Sequence, residues 1–387
     1  MELRQATGNL LMVGLAGKEL SALERAWLKL IRPAGIILFK RNIADAGQTR
    51  ALLKEATASC APHAARCVDV EGGTVNRLNE ALAPIASAQA VTTAMKKVQP
   101  ADRSTHVRNT RNRKGQSVRF QPAREHGELI ARAVSAFGFN TSLTPVLDLA
   151  LPESAEVLGS RSPAADPAVV IDYAHGFLQG LASRSVAGCG KHFPGLGGGA
   201  LDSHLETPAI ARAWEAMWHD DLEPYRALRD ELPMVMINHA AYPQTPGGER
   251  PASVSGYWIK EILRKRIGYR GIVLSDDLEM GGILKFMTIG EAAIEAIRAG
   301  SDLIEICHRA EVILQAFEAL LAEGERSAAF RALLLKRAQE AQRKRARIFS
   351  DTMRPALGER QFLVLRERIL RFNDAVASAQ AAQGGTA

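Results

Sequence analysis

Residues 190–208 read GKHFPGLGGGALDSHLETP, and this stretch decides how the rest of the chain is interpreted. Pro194 and five glycines interrupt any helical or strand period, because proline fixes φ and glycine tolerates φ > 0. The stretch is therefore predicted to be a loop. It follows a short apolar run and carries the ionisable residues Lys191, His192, Asp202 and His204. Loops on a rigid scaffold are where chemistry concentrates, so the scaffold that holds this loop has to be identified.

The apolar run before the loop belongs to a repeated pattern. Short runs rich in Val, Ile and Leu alternate with longer segments of helical period, which is typical of successive βα units. The predicted strands span residues 10–16, 35–39, 66–70, 142–149, 186–192, 234–239, 271–276 and 302–307. Eight such units predict an α/β protein built as a single-domain (β/α)8 TIM barrel. A doubly wound sheet is the alternative, but the motif GxGxxG is absent after the first run.

Ionisable residues recur where the predicted strands end. In a barrel of this kind, the loops at the carboxyl ends of the strands carry the active site. Such residues follow five consecutive strands, and they include Asp69, Glu71, Asp148, Lys191, His192, His239, Asp276 and Asp277. A solvated surface does not explain this recurrence, so the sequence predicts an enzyme whose reacting groups meet at this end of the barrel.

Two regions fall outside the repeat. Residues 91–124 are polar and basic, and they are predicted to form a flexible insertion after the third strand. Residues 1–323 would form the barrel domain. Residues 324–387 would add arginine-rich C-terminal helices and a tail of small residues.

The composition narrows the class of protein. The formal net charge is +7, but much of the basic excess lies in residues 96–124 and 336–347. Neither segment belongs to the body of the predicted barrel, so nucleic acid is not predicted as a partner. The four cysteines lack CxxC spacing, which argues against a disulfide framework or a zinc site. No apolar span is long enough to cross a membrane, and the first apolar stretch suits a buried strand better than a signal peptide. A cytoplasmic location is therefore expected.

Several motifs occur in a fixed order along the chain: DVEGGTVNR at 69–77, PVLD at 145–148, GSRS at 159–162, KHFPGLG at 191–197, DSH at 202–204 and SDDLEM at 275–280. Together they resemble the signature of bacterial β-N-acetylhexosaminidases of glycoside hydrolase family 3, of the single-domain, cell-wall-recycling type. The resemblance implies a retaining glycosidase that removes terminal non-reducing β-linked N-acetylglucosamine from peptidoglycan muropeptides through a covalent glycosyl-enzyme. It implies no cofactor and no metal ion, and it leaves the oligomeric state open.

The resemblance also implies roles for individual residues. Asp276 would be the nucleophile, which must be ionised, and His204 with Asp202 would be the acid/base pair, because an imidazole titrates near neutrality. The positions that match substrate-binding residues are Asp69, Arg77, Arg161, Lys191 and His192. For Asp69 and Arg77, a structural salt bridge between the two is the competing interpretation. Asp277 would point to the other face of the strand and is expected to hold a backbone loop.

Two positions depart from the family pattern. Leu196 stands where the loop usually has His, and Val70 stands where Gln commonly follows Asp69. Neither change removes a residue with an implied catalytic role. The leucine is expected to alter the closed conformation of the loop.

Three other interpretations stay open at this stage. A metal-dependent barrel hydrolase could use His192, His204, Asp69 and Asp276 as ligands, although carboxylates outnumber histidines. An aldolase-like enzyme could form a Schiff base on Lys191. A non-enzymatic protein could bind acidic polymers through the basic segment from Lys96 to Arg124.

Overall fold

The computed structural model of the protein describes residues 1–95, 120–199 and 208–384. Its strands are β1 (Leu11–Gly14), β2 (Gly35–Leu38), β3 (Ala65–Val68), β4 (Val70–Gly72), β5 (Val75–Asn76), β6 (Thr141–Ser142), β7 (Ala187–Phe193), β8 (Met234–Ile237), β9 (Ile272–Asp277) and β10 (Leu303–Ile306). Within the described residues, eight of these pair in parallel and close in the order β1–β10–β9–β8–β7–β6–β3–β2. The predicted (β/α)8 barrel is confirmed. β4 and β5 form a separate antiparallel hairpin beyond β3.

Helices follow the strands and cover the outside of the barrel. They are α1 (Leu3–Gly8), α2 (Ala22–Ile31), α3 (Ala46–Thr57), α4 (Ala88–Met95), α5 (Gln121–Ala136), α6 (Pro167–Ala182), α7 (Trp214–Ala216), α8 (Glu223–Ala227), α9 (Gly281–Leu284), α10 (Ile289–Ala299), α11 (Ala310–Arg326), α12 (Ala328–Ile348) and α13 (Glu359–Gly384). Short 3₁₀ segments occur at Lys40–Asn42, Pro152–Ser154, Gly159–Arg161 and Ala252–Val254, and π-helical segments at Met217–Asp221 and Tyr257–Arg266. In the described parts of the chain, no helix is both long and apolar enough to span a membrane.

Local sequence signals start several of these helices. At α2, the Ser21 hydroxyl accepts a hydrogen bond from the N–H of Glu24, and the Glu24 carboxylate accepts one from the N–H of Ser21. Thr288 and Glu291 make the same reciprocal pair at α10. Each capping box satisfies N–H groups that the first turn of a helix leaves without a partner.

The fourth barrel strand is much shorter than predicted. The sequence predicts a strand over 142–149, whereas β6 covers only Thr141–Ser142. Pro145 lacks an N–H and cannot continue the ladder. Beyond it, Val146 makes a single bridge to Lys191 of β7, and the chain then leaves the sheet.

The two regions outside the repeat are partly described. Residues 91–95 belong to α4 and residues 121–124 to α5, so the ends of the predicted insertion are helical rather than flexible. Val91 and Met95 are buried, which explains why α4 continues to that point. Residues 96–119 lie outside the described part of the chain.

The C-terminal helices α12 and α13 pack against the barrel. Arg345 of α12 is fully buried and donates hydrogen bonds to the backbone oxygens of Ala34 at 3.2 Å and Pro62 at 3.0 Å. Apolar residues of α13, including Leu365 and Ile369, join the same hydrophobic core as the barrel. The division of the chain at residue 323 stays a prediction.

Candidate active site

The carboxyl ends of the barrel strands surround a cavity of about 610 Å³. Six of the eight predicted site residues are described and line it: Asp69, Arg77, Arg161, Lys191, His192 and Asp276. The other two, Asp202 and His204, lie outside the described residues. Residues far apart in the sequence meet here because parallel strands end at the same face of a barrel.

Lys191 bridges two carboxylates in the wall of the cavity. Its side chain is 4% exposed, and Nζ donates to Asp69 Oδ1 at 2.8 Å and lies 2.7 Å from Glu71 Oε1. Burial lowers the pKa of the Lys191 amine, but the two carboxylates outweigh burial and raise the pKa above its ordinary value. Lys191 is therefore a cation. Schiff-base chemistry requires a neutral amine, so this geometry does not support an aldolase-like role.

Arg161 and Glu71 form a bidentate pair beside Lys191. Nε and Nη2 of Arg161 donate to the two oxygens of Glu71 at 2.8 and 2.9 Å. Burial raises the pKa of Glu71, but Lys191 and Arg161 lower it below its ordinary value. A buried carboxylate with two cationic partners stays ionised and holds both cations in fixed positions. Glu71 thus orients two predicted sugar-binding residues.

Arg77 does not pair with the Asp69 carboxylate, and the salt-bridge interpretation for these two residues is wrong. The backbone N–H of Arg77 donates to the backbone oxygen of Asp69 at 3.0 Å. The guanidinium carbon lies 5.8 Å from the centroid of the Phe39 ring. Nε is buried and has no hydrogen-bond partner among the described residues. Arg77 lines the cavity, but its Nε is buried and not exposed to it.

His192 is held in one orientation by Asp148, which is fully buried. Nδ1 of the imidazole donates to Asp148 Oδ2 at 2.6 Å, and Arg161 Nη2 lies 3.4 Å from Nε2. Asp148 therefore fixes the orientation of the ring. Asp148 also accepts the backbone N–H of Leu196 at 2.8 Å, so one carboxylate fixes both the ring and the start of the loop.

Asp276 lies at the end of β9 and, among the described residues, makes no ion pair within 4.0 Å. Its Oδ1 accepts the N–H of Asp277 at 2.9 Å. Burial raises the pKa of the Asp276 carboxyl, but His192, His239, the N–H of Asp277 and Lys191 outweigh burial, and the pKa lies below its ordinary value. Asp276 is therefore an ionised carboxylate that faces the cavity, as a nucleophile requires.

The neighbouring Asp277 holds the backbone, as the sequence predicts. Its Oδ1 accepts the N–H groups of Glu279 at 3.0 Å and Cys307 at 3.2 Å, and its Oδ2 lies 3.3 Å from Nε2 of His308. These contacts join the loops after β9 and β10. Both aspartates line the cavity, but the Asp277 carboxylate is occupied by these loop contacts, whereas Asp276 makes no ion pair among the described residues.

Glu305 is a cavity residue that the sequence reasoning missed. It lies in β10, is 2% exposed, and accepts a hydrogen bond from Sγ of Cys307 at 3.2 Å. Oε2 is buried without a partner in the described part of the chain. Burial, with the charges of Asp277 and Asp69, raises the pKa of Glu305 well above its ordinary value, so its carboxyl is neutral. The detectable signal was one charged residue inside the apolar run LIEI.

The rim of the cavity was also missed, because it comes from the loops after β2 and β10. Arg41 donates from Nη1 to Nδ1 of His308 at 3.0 Å and from Nη2 to the Cys307 oxygen. Phe39 lies between them, 4.8 Å from the Arg41 guanidinium and 5.2 Å from the His308 ring. Nothing in the sequence of either loop distinguishes these residues from a solvated turn.

The predicted metal ligands do not share an open site. The Asp69 carboxylate is occupied by Lys191, and Nδ1 of His192 is occupied by Asp148. Across residues 1–95, 120–199 and 208–384, no group of three or more His, Cys, Asp or Glu side chains is arranged to hold a metal ion. His204, the remaining ligand of that hypothesis, lies outside these ranges.

The first part of the glycine-rich loop continues from β7 into the cavity wall. Gly195 has φ +131°, and a Cβ at this position would lie 3.0 Å from the Asp221 side chain, so only glycine fits. Leu196 is 9% exposed and lines the cavity. The leucine therefore presents an apolar surface to the site. Residues 200–207, which include Asp202 and His204, lie outside the described residues.

Several known proteins are similar to this chain in sequence. A model of the glycosyl hydrolase family 3 N-terminal domain matches residues 2–336. A β-hexosaminidase of Idiomarina loihiensis is 33% identical over 321 residues, which cover 83% of this chain and 90% of that protein. A β-hexosaminidase of Xanthomonas oryzae pv. oryzae is 32% identical over 312 residues, or 80% of this chain and 87% of that one.

Solved structures show the same similarity. The NagZ protein of Neisseria gonorrhoeae, in complex with N-trifluoroacetyl-D-glucosamine, matches with a TM-score of 0.72 and 29% identity over 96% of this chain and 97% of that chain. A glycoside hydrolase family 3 β-N-acetylglucosaminidase of Paenibacillus matches with a TM-score of 0.80 and 29% identity, covering 96% of this chain and 69% of that chain.

Proposed function

This chain belongs to glycosyl hydrolase family 3, and we propose that it is a retaining β-N-acetylhexosaminidase that removes terminal, non-reducing β-linked N-acetylglucosamine. The observation that carries the proposal is the position of Asp276. It is an ionised carboxylate without an ion pair among the described residues, and it lines a cavity with Lys191, Arg161 and His192. A glycosidase needs this combination of a nucleophile and fixed hydrogen-bonding groups for sugar hydroxyls.

The proposed reaction has two displacements at the anomeric carbon. An oxygen of Asp276 attacks this carbon, the glycosidic bond breaks, and the leaving oxygen takes a proton from His204. Water then attacks the same carbon, gives a proton to His204 and releases Asp276. Asp202 would orient the imidazole and stabilise its charged form. His204 and Asp202 lie outside the described residues, so their roles depend on the resemblance of the loop motif.

The proposed sugar-binding groups are the charged residues around Asp276. Asp69, Arg161, Lys191 and His192 are already oriented by contacts with each other, with Glu71 or with Asp148. A charged partner makes a stronger hydrogen bond to a hydroxyl than a neutral one does. Because these side chains are fixed before substrate arrives, little ordering is required on binding. Arg77 also lines the cavity and would contact a more external part of the substrate.

We further propose peptidoglycan muropeptides as the natural substrates and the cytoplasm as the location of the reaction. Support for the substrate is the resemblance to the cell-wall-recycling enzymes, together with the positive charges of Arg41 and Arg77 in the lining of the cavity. The four cysteines are unpaired and buried, which is usual for proteins of a reducing compartment. Turnover of purified muropeptides and of chitin fragments, measured side by side, tests the substrate.

Hydrolysis of a chromogenic N-acetyl-β-glucosaminide tests the proposed activity. Wild type should release the chromophore, and Asp276→Ala and His204→Ala should each lower kcat/KM by at least a hundredfold. Asp230→Ala and His219→Ala change the same residue types at exposed positions that do not line the cavity, so they are the matched controls. Absence of turnover by wild type, or full activity of Asp276→Ala, would contradict the proposal.

A further inference from the structure

A second cavity, of about 510 Å³, lies away from the active site. It is bounded by the carboxyl end of α5, by Arg184 just after α6, and by residues 354–368. In a (β/α)8 barrel the helices run antiparallel to the strands, so the carboxyl ends of α5 and α6 lie at the face opposite the active site. Most of one wall comes from residues beyond 336, where the family match ends.

Five arginines line this cavity: Arg132, Arg184, Arg354, Arg360 and Arg368. The cavity itself is lined by no acidic residue of the described chain. Five guanidinium groups around one concavity repel each other unless anions lie between them.

Two nearby glutamates compensate only part of this charge. Glu128 is 2.9 Å from Arg132 and 3.6 Å from Arg184, and it is 3.9 Å from Arg368. Glu125 lies 3.6 Å from Arg368. Burial raises the pKa of Glu128, but the arginines outweigh burial and lower the pKa below its ordinary value.

Arg354 and Arg360 form no ion pair with any described residue. Arg354 donates from Nη2 to the Ser185 hydroxyl at 3.2 Å, which leaves most of its donors unused. No described residue therefore forms an ion pair that would neutralise the positive charge at this end of the cavity.

The first turn of α13 borders the cavity; it carries one acidic residue, Glu359, which does not line the cavity. α13 has 26 residues, and its Arg360 and Gln361 line the cavity. The first N–H groups of a helix have no intrahelical acceptor, and a helix N-terminus favours negative charge. Ser135 of α5 also lines the cavity, and its buried hydroxyl has no hydrogen-bond partner in the described chain. The cavity thus combines two kinds of donor with an uncompensated charge.

Apolar side chains form the rest of the lining. Leu357 is 37% exposed and Val364 is 47% exposed, and both border the cavity together with Pro355 and Leu365. An inorganic ion would leave this surface in water. A ligand with an organic body as well as anionic groups would cover it.

We propose that this cavity binds a small organic molecule that carries two or more phosphate or carboxylate groups close together. Guanidinium groups form paired hydrogen bonds with both kinds of anion, so both belong to the same ligand class. Five arginines against three nearby glutamates, Glu125, Glu128 and Glu359, leave two positive charges, which a single carboxylate does not neutralise. The inference concerns a site separate from the proposed glycosidase centre and does not depend on that activity.

Calorimetric titration of the full chain with pyrophosphate, and separately with citrate, in 0.15 M NaCl tests the proposal. At this salt concentration the Debye length is about 8 Å, so non-specific electrostatic association is suppressed. At least one of the two probes should bind saturably with one site per chain. Binding of pyrophosphate alone would identify phosphate as the preferred group, and binding of citrate alone would identify carboxylate. If neither probe saturates, or if the stoichiometry exceeds one, the proposal is wrong.

Paired variants locate the binding. Arg354→Gln/Arg360→Gln removes the two unpaired arginines and should weaken binding at least tenfold. Arg343→Gln/Arg347→Gln removes the same charge from exposed positions of α12 outside the cavity and should leave binding unchanged. Val364→Glu, at an exposed position, puts a carboxylate into the cavity and should abolish binding without removing an arginine. Equal loss of affinity in the two double variants would overturn the assignment.

Discussion

Replacing Lys191 with methionine removes the ammonium group between two buried carboxylates and keeps a side chain of similar length. Breaking a buried ion pair by removing one partner costs about 3–5 kcal/mol, because the other charge stays buried without compensation. Glu71 keeps its bidentate partner Arg161, whereas Asp69, whose side chain is 13% exposed, loses its only ion pair among the described residues. The expected loss is therefore near the lower limit, about 3 kcal/mol.

Urea unfolding of wild type and Lys191→Met at pH 7 measures this loss. The pKa of Glu71 is depressed in the folded state, so its ionised form contributes stability above the ordinary value of 4.5 and loses that contribution as the pH falls further. The difference between wild type and Lys191→Met should therefore be largest near neutrality and should shrink below pH 4.5.

A second substitution separates stability from binding. Adding Asp69→Asn to Lys191→Met removes the uncompensated charge and should restore about 1–2 kcal/mol of stability. It should not restore kcat/KM, because both proposed sugar contacts are then altered. A loss below about 0.5 kcal/mol for Lys191→Met, the range of ordinary surface substitutions, would refute the argument that Lys191 compensates buried carboxylates.

Three other substitutions test separate parts of the structure. Asp148→Asn removes the carboxylate that orients the His192 ring and should lower kcat/KM by about 10- to 100-fold, and an unchanged value would show that this contact does not orient the ring. The folded-state pKa of Glu305 is raised, so wild type loses stability as the pH rises above 4.5, by about 1.4 kcal/mol per pH unit. Thermal unfolding of Glu305→Gln at several pH values should lack this decrease in stability. An equal decrease in both proteins would contradict the neutral carboxyl. Burial lowers the pKa of His126 to about 3, so wild type should lose about 1.4 kcal/mol per unit as the pH falls from 6.5 towards 3. The stability of His126→Phe should change less with pH over that range. An identical loss of stability at low pH in both proteins would count against a buried neutral imidazole.

The barrel could be predicted from the sequence because its strands are buried on both faces and appear as short apolar runs at regular intervals. The strand ends could also be predicted, because an ionisable residue directly after such an apolar run marks the point where the buried strand ends. β6 was predicted too long because Val146 and Leu147 continue the apolar pattern, although Pro145 cannot pair. An apolar pattern indicates that residues are buried, but it does not indicate whether their backbone groups form hydrogen bonds with a neighbouring strand.

The pairing within the site could not be predicted. Asp69, Glu71, Arg77, Arg161 and Lys191 were all candidates, but spacing along the chain does not say which cation reaches which carboxylate. The partner of Lys191 depends on the β4–β5 hairpin, which turns Glu71 back toward β7. This short hairpin has no pattern long enough to be recognised in the sequence.

Covalent labelling of the nucleophile tests the central claim most directly. A 2-fluoro sugar inactivator slows both displacements and lets the glycosyl-enzyme accumulate, so that proteolysis and mass spectrometry can identify the modified residue. Label on Asp276, absent from Asp276→Ala, is the predicted result. Label on Asp277, or turnover-dependent inactivation without any labelled aspartate at the end of β9, would contradict the account.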